Sequence, residues 1–154
     1  MDGETRVVTA LQELRIDHTV TRHGRVRSLG EAAAARGIQP RDLIKTLVVR
    51  RGDDDYLFVL VPGDREFSWP KLRTLLGVSR LSMPDADTAR DVTGYERGTI
   101  TPFGALHPWP VIADESIVGH TISMGGGAHG VGVTVAADDV IRAYDATVAD
   151  VSDR

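Results

Sequence analysis

Two apolar runs, Thr46-Leu47-Val48-Val49-Arg50 and Tyr56-Leu57-Phe58-Val59-Leu60-Val61, flank the polar stretch Gly52-Asp53-Asp54-Asp55. β-Branched and aromatic residues dominate both runs and turn formers separate them, so the segment reads as a β-hairpin. A hairpin pairs its strands antiparallel, which a plain βαβ series of crossovers does not supply. The fold class expected is therefore α/β in the α+β sense, with a mixed, largely antiparallel sheet.

The remaining elements fit one compact domain over residues 1–154. Val7, Val8, Ala10, Leu11 and Leu14 recur at helical spacing, and His18–His23 alternates as a strand. Ser28 and Glu31 form a capping-box pattern opening a helix over Ala32–Arg36 that Gly37 closes. Pro40 starts a further helical turn. Ser68 and Pro70 begin a helix ended by Gly77, and another covers Ala86–Val92. Strands are expected at Val111–Ala113, Thr121–Met124, Val131–Val135 and Thr147–Val151, with a helix over Asp138–Tyr144.

Composition removes several kinds of chemistry. The chain has no cysteine, which excludes disulfides, thiolate catalysis and cysteine-based zinc sites. It has no apolar run of membrane-spanning length and no secretory-type start, so no membrane partner and a cytoplasmic location are expected. The net charge of −4 argues against a DNA partner. The charge is uneven, however: residues 1–51 carry ten Lys/Arg against six Asp/Glu, and the remainder eight against sixteen. Arg22, Arg25, Arg27, Arg36, Arg41, Lys45, Arg50 and Arg51 are thus candidates to meet phosphates, or else solvated surface arginines.

Gly94-Tyr95-Glu96-Arg97-Gly98-Thr99-Ile100-Thr101-Pro102-Phe103-Gly104 crowds three glycines and a proline into one loop. Such a loop tends to present backbone N–H groups, which suits an oxyanion or a sugar–phosphate; a tight inter-strand connection is the alternative. Lys45, amid Leu43, Ile44, Leu47 and Val48, is expected at a helix–strand junction with its ammonium partly screened from water, as an oxyanion partner or as a helix C-terminal charge.

Gly125-Gly126-Gly127-Ala128-His129-Gly130 matches G-x-G-x-x-G, but Val131-Gly132-Val133-Thr134-Val135 follows as a strand where a dinucleotide site needs a helix. No dinucleotide cofactor is expected, and the run reads as a turn between strands carrying His129, an exposed loop residue or a substrate contact. The other histidines show no metal-ligand spacing, so no metal is expected. Asp114-Glu115 reads as a strand-end turn, and no nucleophile with a paired base is visible.

Ser28-Leu29-Gly30-Glu31-Ala32-Ala33, Ile44-Lys45-Thr46-Leu47-Val48-Val49, Gly63-Asp64-Arg65-Glu66, Gly94-Tyr95…Gly98…Thr101-Pro102-Phe103-Gly104 and the closing 136–151 region stand in one order along nearly the whole chain. This ordered set resembles the YbaK/prolyl-tRNA-synthetase-associated domain family of aminoacyl-tRNA deacylases. The resemblance implies a compact domain with a curved mixed sheet surrounded by helices. It implies hydrolysis of mischarged tRNA, commonly proline tRNA carrying a small wrong amino acid such as Ala, Ser or Cys, by a free-standing trans-editing factor. Lys45 and Gly98 are then the functional residues, with Thr46 and Tyr95 lining the same pocket. Leu29, Thr99, Thr101, Gly126 and His129 are further candidate substrate contacts, His129 without a family role assigned to it. The partners implied are the tRNA acceptor end and a synthetase such as prolyl-tRNA synthetase. An aminoacyl ester is already activated, so positioning and oxyanion stabilisation suffice, with a tRNA ribose hydroxyl assisting the water as proposed for the family.

Two positions depart from the family pattern. Thr99 stands where many members have glycine, and Gly132 stands where the cysteine-handling branch often has an acid. Amino-acid identity is therefore left open. A non-catalytic module that binds an aminoacyl group, a nucleotide or a synthetase is the alternative function.

Overall fold

The computed structural model describes all of residues 1–154. Helix α1 (Gly3–Glu13) is capped by Asp2, whose carboxylate accepts from the Thr5 N–H at 2.7 Å. Strand β1 (His18–Arg22) leads to α2 (Leu29–Ala35), which starts where the Ser28 hydroxyl accepts from the Glu31 N–H at 3.1 Å. The Glu31 carboxylate returns one residue earlier than a capping box requires, to the Arg27 N–H at 2.9 Å. Strands β2 (Ile44–Gly52) and β3 (Asp55–Pro62) form the expected hairpin. Strand β2 begins two residues earlier than the sequence pattern suggests, so Lys45 lies within it.

Next come β4 (Glu66–Phe67), α3 (Trp69–Leu76), α4 (Ala86–Thr93), β5 (Val111–Asp114), β6 (Thr121–Gly125), β7 (Val131–Ala136) and α5 (Ala137–Tyr144). The strand expected over Thr147–Val151 ends early as β8 (Thr147–Ala149), and a separate β9 (Ser152–Asp153) follows beyond it. Val151 between them is fully buried. The two-residue β4, which pairs with β9, is too short to leave a periodic signal.

Hydrogen bonding divides the strands into an antiparallel sheet β1-β7-β6, a mixed sheet β2-β3-β5-β8 and the small β4-β9 pair. In the mixed sheet β2 and β3 are antiparallel, while β5 and β8 join in parallel. A parallel bridge from Leu43 to Ser123 brings the start of β2 against β6.

Strand β3 explains its unbroken apolar sequence. Tyr56, Phe58 and Leu60 enter a large core with Val7, Leu11, Ile122 and Met124. Leu57, Val59 and Val61 point the other way, into a smaller core with Leu72, Ile112 and Val151. Side chains alternate along a strand, so one buried on both faces shows no polar positions.

Asp114 ties the C-terminal segment to this sheet. It is 1% exposed and accepts hydrogen bonds from the Val151 N–H at 3.0 Å and the Ser152 hydroxyl at 2.9 Å, while its other oxygen accepts from Ser116. The strand-end role expected of this residue is thus a buried knot, and no helix of the chain is long and apolar enough to cross a membrane. Removing Asp114 strands several buried donors, so Asp114→Ala is expected to lower unfolding free energy by about 2–4 kcal/mol. Urea denaturation followed by circular dichroism checks this, with Glu115→Ala as the surface control.

Candidate functional site

A cleft of about 470 Å³ opens where β2 faces the 83–100 region and the end of β6. Ile44, Lys45, Thr46, Leu47 and Val48 line one side, and Met83, Pro84, Ala89, Arg97, Gly98 and Ile100 the other. Arg36 and Gly125 complete it. Lys45 and Thr46 therefore meet Gly98, about fifty residues further along the chain, in one place.

Lys45 is exposed, contrary to the screening inferred from its apolar neighbours. Strand geometry is the reason: alternation turns Ile44 into the core and leaves Lys45 on the open side. The Lys45 ammonium donates to the Arg65 carbonyl at 3.3 Å and has no carboxylate partner. Thr46 differs, because its Oγ1 is buried without any hydrogen-bond partner. A buried hydroxyl with unused capacity beside an open cleft is an available donor and acceptor.

Gly98 sits in the loop after α4 with φ of +89°, a conformation that strains any residue bearing a Cβ. Its amide makes no hydrogen bond within the chain. The rest of the loop is internally bonded. The Tyr95 hydroxyl donates to the Phe103 carbonyl at 2.5 Å, the Thr99 hydroxyl donates to the Glu96 carbonyl at 2.7 Å, and the Thr101 hydroxyl accepts from the Phe103 N–H at 3.3 Å.

Those bonds redefine several residues expected at the substrate. Tyr95, Thr99 and Thr101 are 2%, 3% and 0% exposed and hold the loop from beneath, outside the cleft lining. Leu29 packs against Gly63, where α2 meets the end of β3, and also lies outside the lining. Gly126 is buried against Val131 in the turn between β6 and β7, and its neighbour Gly125 reaches the cleft instead. His129, exposed in that same turn, stands over Gly98 with its Nε2 3.6 Å from the Glu96 carboxylate. It faces a separate depression with His23 and Arg25.

The contribution missed as a specific site residue is Arg36. Its side chain crosses from the end of α2 to donate to Ser123 Oγ and His23 Nε2, both at 3.2 Å. Burial lowers its pKa from the ordinary guanidinium value. The sequence signal was only its place in the basic first third of the chain. Arg36, Lys45 and Arg97 form no ion pair, and the cleft lining contains no Asp, Glu or His. An acidic protein thus keeps a cleft that is cationic and without carboxylates, suited to an anionic ligand.

Residues 23–143 match the family model described as an aminoacyl-tRNA editing domain. The chain belongs to this family. The editing domain is 36% identical over 96 residues to the proline–tRNA ligase of Heliobacterium modesticaldum, covering 60% of this chain and 16% of that ligase. It is 30% identical over 115 residues to the Bacillus licheniformis proline–tRNA ligase, covering 75% and 19%. The chain therefore corresponds to less than a fifth of the length of these ligases. A solved structure described as a candidate trans-editing enzyme for prolyl tRNA synthetase superposes with a TM-score of 0.89 at 24% identity, over 100% of this chain and 99% of that one. That likeness bears out the fold of the editing domain, a mixed and mostly antiparallel α+β architecture.

Thr46 offers a test independent of any substrate. Replacing its unpaired hydroxyl by a methyl group in Thr46→Val is expected to stabilise the editing domain by about 1 kcal/mol. A hydroxyl used only for folding would give the opposite sign in urea denaturation.

Proposed function

We propose that this editing domain hydrolyses the ester of mischarged tRNA as a free-standing trans-editing factor, acting on tRNA(Pro) bearing a small wrong amino acid such as Ala, Ser or Cys. The observation that carries the reading is the cleft itself: Lys45, the unpartnered Thr46 hydroxyl and the unbonded Gly98 amide, among cations and without carboxylates. The family membership supports it, and the fold shared with a candidate trans-editing enzyme is consistent with it.

In the proposed reaction water attacks the ester carbonyl and its C–O bond to the ribose breaks. The products are the free amino acid and a ribose hydroxyl, which takes up the proton. The Gly98 N–H and the Lys45 ammonium are suited to the carbonyl oxygen as it gains charge, and Thr46 to the amino-acid end. No carboxylate or imidazole lines the cleft, so proton removal is assigned to the substrate's own ribose hydroxyl or to bulk water. Ile44, Val48 and Ile100 give the cleft apolar walls. Such walls separate side chains differing by a methylene by about 1–3 kcal/mol, so selection would rest on size.

A depression lined by Arg50, Arg51, Arg73 and Arg80 adjoins the cleft along β2 and residues 79–84. Arg50 and Arg51 pair with Asp53 and Asp55, whereas Arg73 and Arg80 form no ion pair. In this reading these two meet the backbone of the acceptor end.

Hydrolysis of Ala-, Ser- and Cys-tRNA(Pro) by wild type and Lys45→Ala tests the reading. Turnover by wild type, reduced about 100-fold or more in the variant, is expected from loss of a charged oxyanion partner. Saturable tRNA binding without turnover would replace the hydrolase with a non-catalytic binding module. In the same assay Arg73→Ala and Arg80→Ala should raise KM with little change in kcat. Each should also flatten the dependence of log affinity on log salt by about one unit or slightly less.

A further inference from the structure

Arg36 places a positive charge where the chain supplies nothing to neutralise it. Both hydrogen-bond partners of its guanidinium are neutral. Ser123, which takes the Nη1 bond, is fully buried. His23 has its Nδ1 2.9 Å from the Gly24 carbonyl, so Nδ1 carries the hydrogen and Nε2 is the lone pair that accepts from Arg36 Nε. Nη2 makes no hydrogen bond within the chain.

The group is also seated. It lies on the backbone of Gly132, where a Cβ would stand 2.7 Å from Nε and 2.8 Å from Cζ, so only glycine leaves it room. The other charged groups on the cleft lining are Lys45 and Arg97, both cations. Asp42, on the helical turn that follows α2, has its carboxylate 2.8 Å from His120 Nδ1 and forms no ion pair with Arg36. A half-buried guanidinium held by two neutral partners and left without a counter-charge is less well solvated than a surface arginine, and an incoming oxyanion offsets that cost.

We infer that Arg36 is the anion-recognition residue of the cleft, and that it holds the phosphate on the 5′ side of the terminal adenosine of the bound RNA. The inference rests on the editing reading for the identity of the RNA but not for the anion. The aminoacyl end of a mischarged tRNA offers Arg36 no anion, because its carboxyl group is esterified and its amine is cationic. The ammonium and the guanidinium repel, which turns the nucleotide side of the ligand toward Arg36. A phosphodiester presents two oxygens to the free Nη2 and the remaining Nη1 hydrogen, the geometry in which arginine binds phosphate most selectively. A carboxylate on an acidic aminoacyl group shares this chemistry and is separated from the phosphate by experiment.

Binding of AMP and of adenosine to the intact protein, measured by calorimetry, tests the inference without any turnover. Wild type is expected to prefer AMP by about tenfold, and Arg36→Gln to reduce that preference below about twofold. Gly132→Ala should weaken the preference while retaining Arg36, because its Cβ displaces the guanidinium; it serves if Arg36→Gln fails to fold. Equal binding of the two ligands by wild type, or an unchanged preference in both folded variants, overturns the inference.

Hydrolysis separates the two readings. With Ala-tRNA(Pro), Arg36→Gln should lose about tenfold in kcat/KM, largely through KM, but with the phosphate-free ester alanyl-adenosine it should match wild type. Equal loss on both substrates, or loss confined to aspartyl and glutamyl esters, overturns the phosphate assignment. An AMP preference that depends on Arg36, without turnover of any mischarged tRNA, leaves the inference standing and overturns the editing reading.

Discussion

The loop that brings Gly98 to the cleft depends on Arg6, a residue of α1 more than ninety positions earlier. Its guanidinium lies 4.5 Å from the centroid of the Tyr95 ring, and its Nη2 donates to the Gly94 carbonyl at 2.9 Å. The Tyr95 hydroxyl then reaches across the loop to Phe103, and Gly104 packs against the carbonyl of Arg6 itself. Burial raises the Tyr95 pKa, partly opposed by the Arg6 charge, so the phenol stays protonated and donates. One cation stacked on one ring thus joins the first helix to both ends of the loop. The bonds from Tyr95 to Phe103, from Thr99 to Glu96 and from Phe103 to Thr101 complete a frame beneath Gly98. That frame, and not the glycines alone, makes the loop a fixed surface.

The cleft's charge comes from how the rest of the protein spends its carboxylates. Asp2 and Asp85 cap helices, and hydrogen bonds from the Thr5 and Thr88 amides hold both below the usual carboxylate range. Asp150 and Asp153 pair with Lys71, and Asp55 pairs with Arg51. Asp114 is consumed by the C-terminal knot. With these acids committed elsewhere, Arg36, Lys45 and Arg97 face one another across a space with no counter-charge. A net charge of −4 therefore describes the whole molecule poorly as a guide to its ligand.

Legibility followed the range of the interactions. The hairpin, the Ser28, Ser68 and Gly77 boundaries and the strand–turn–strand character of residues 121–135 were readable, because period-2 alternation, capping and turn chemistry act within a few residues. Strands β4 and β9 were not, since two residues carry no period and their pairing joins positions 66 and 153. Lys45 and Gly98 were singled out in sequence, and the fold brings them together. Tyr95 and Thr101, conspicuous for the same reason as Gly98, are instead the loop's internal frame. Arg36 was one of eight basic residues that the sequence offered together to phosphates, and nothing local set it apart, because its significance lies in what it does not meet.

The sequence by itself determined the fold class, the family, and the Lys45 and Gly98 segments as places of interest. Each rests on residue types in local order, which the chain displays before it folds. Only the tertiary structure decided which side chains face the cleft, that Lys45 is exposed while the Thr46 hydroxyl is buried and unpaired, and that Arg36 sits half-buried on Gly132 without an ion-pair partner. Burial, charge pairing and open space are relations between segments distant in sequence, and they acquire values only when β2, the loop around Gly98 and the end of β6 are brought against one another.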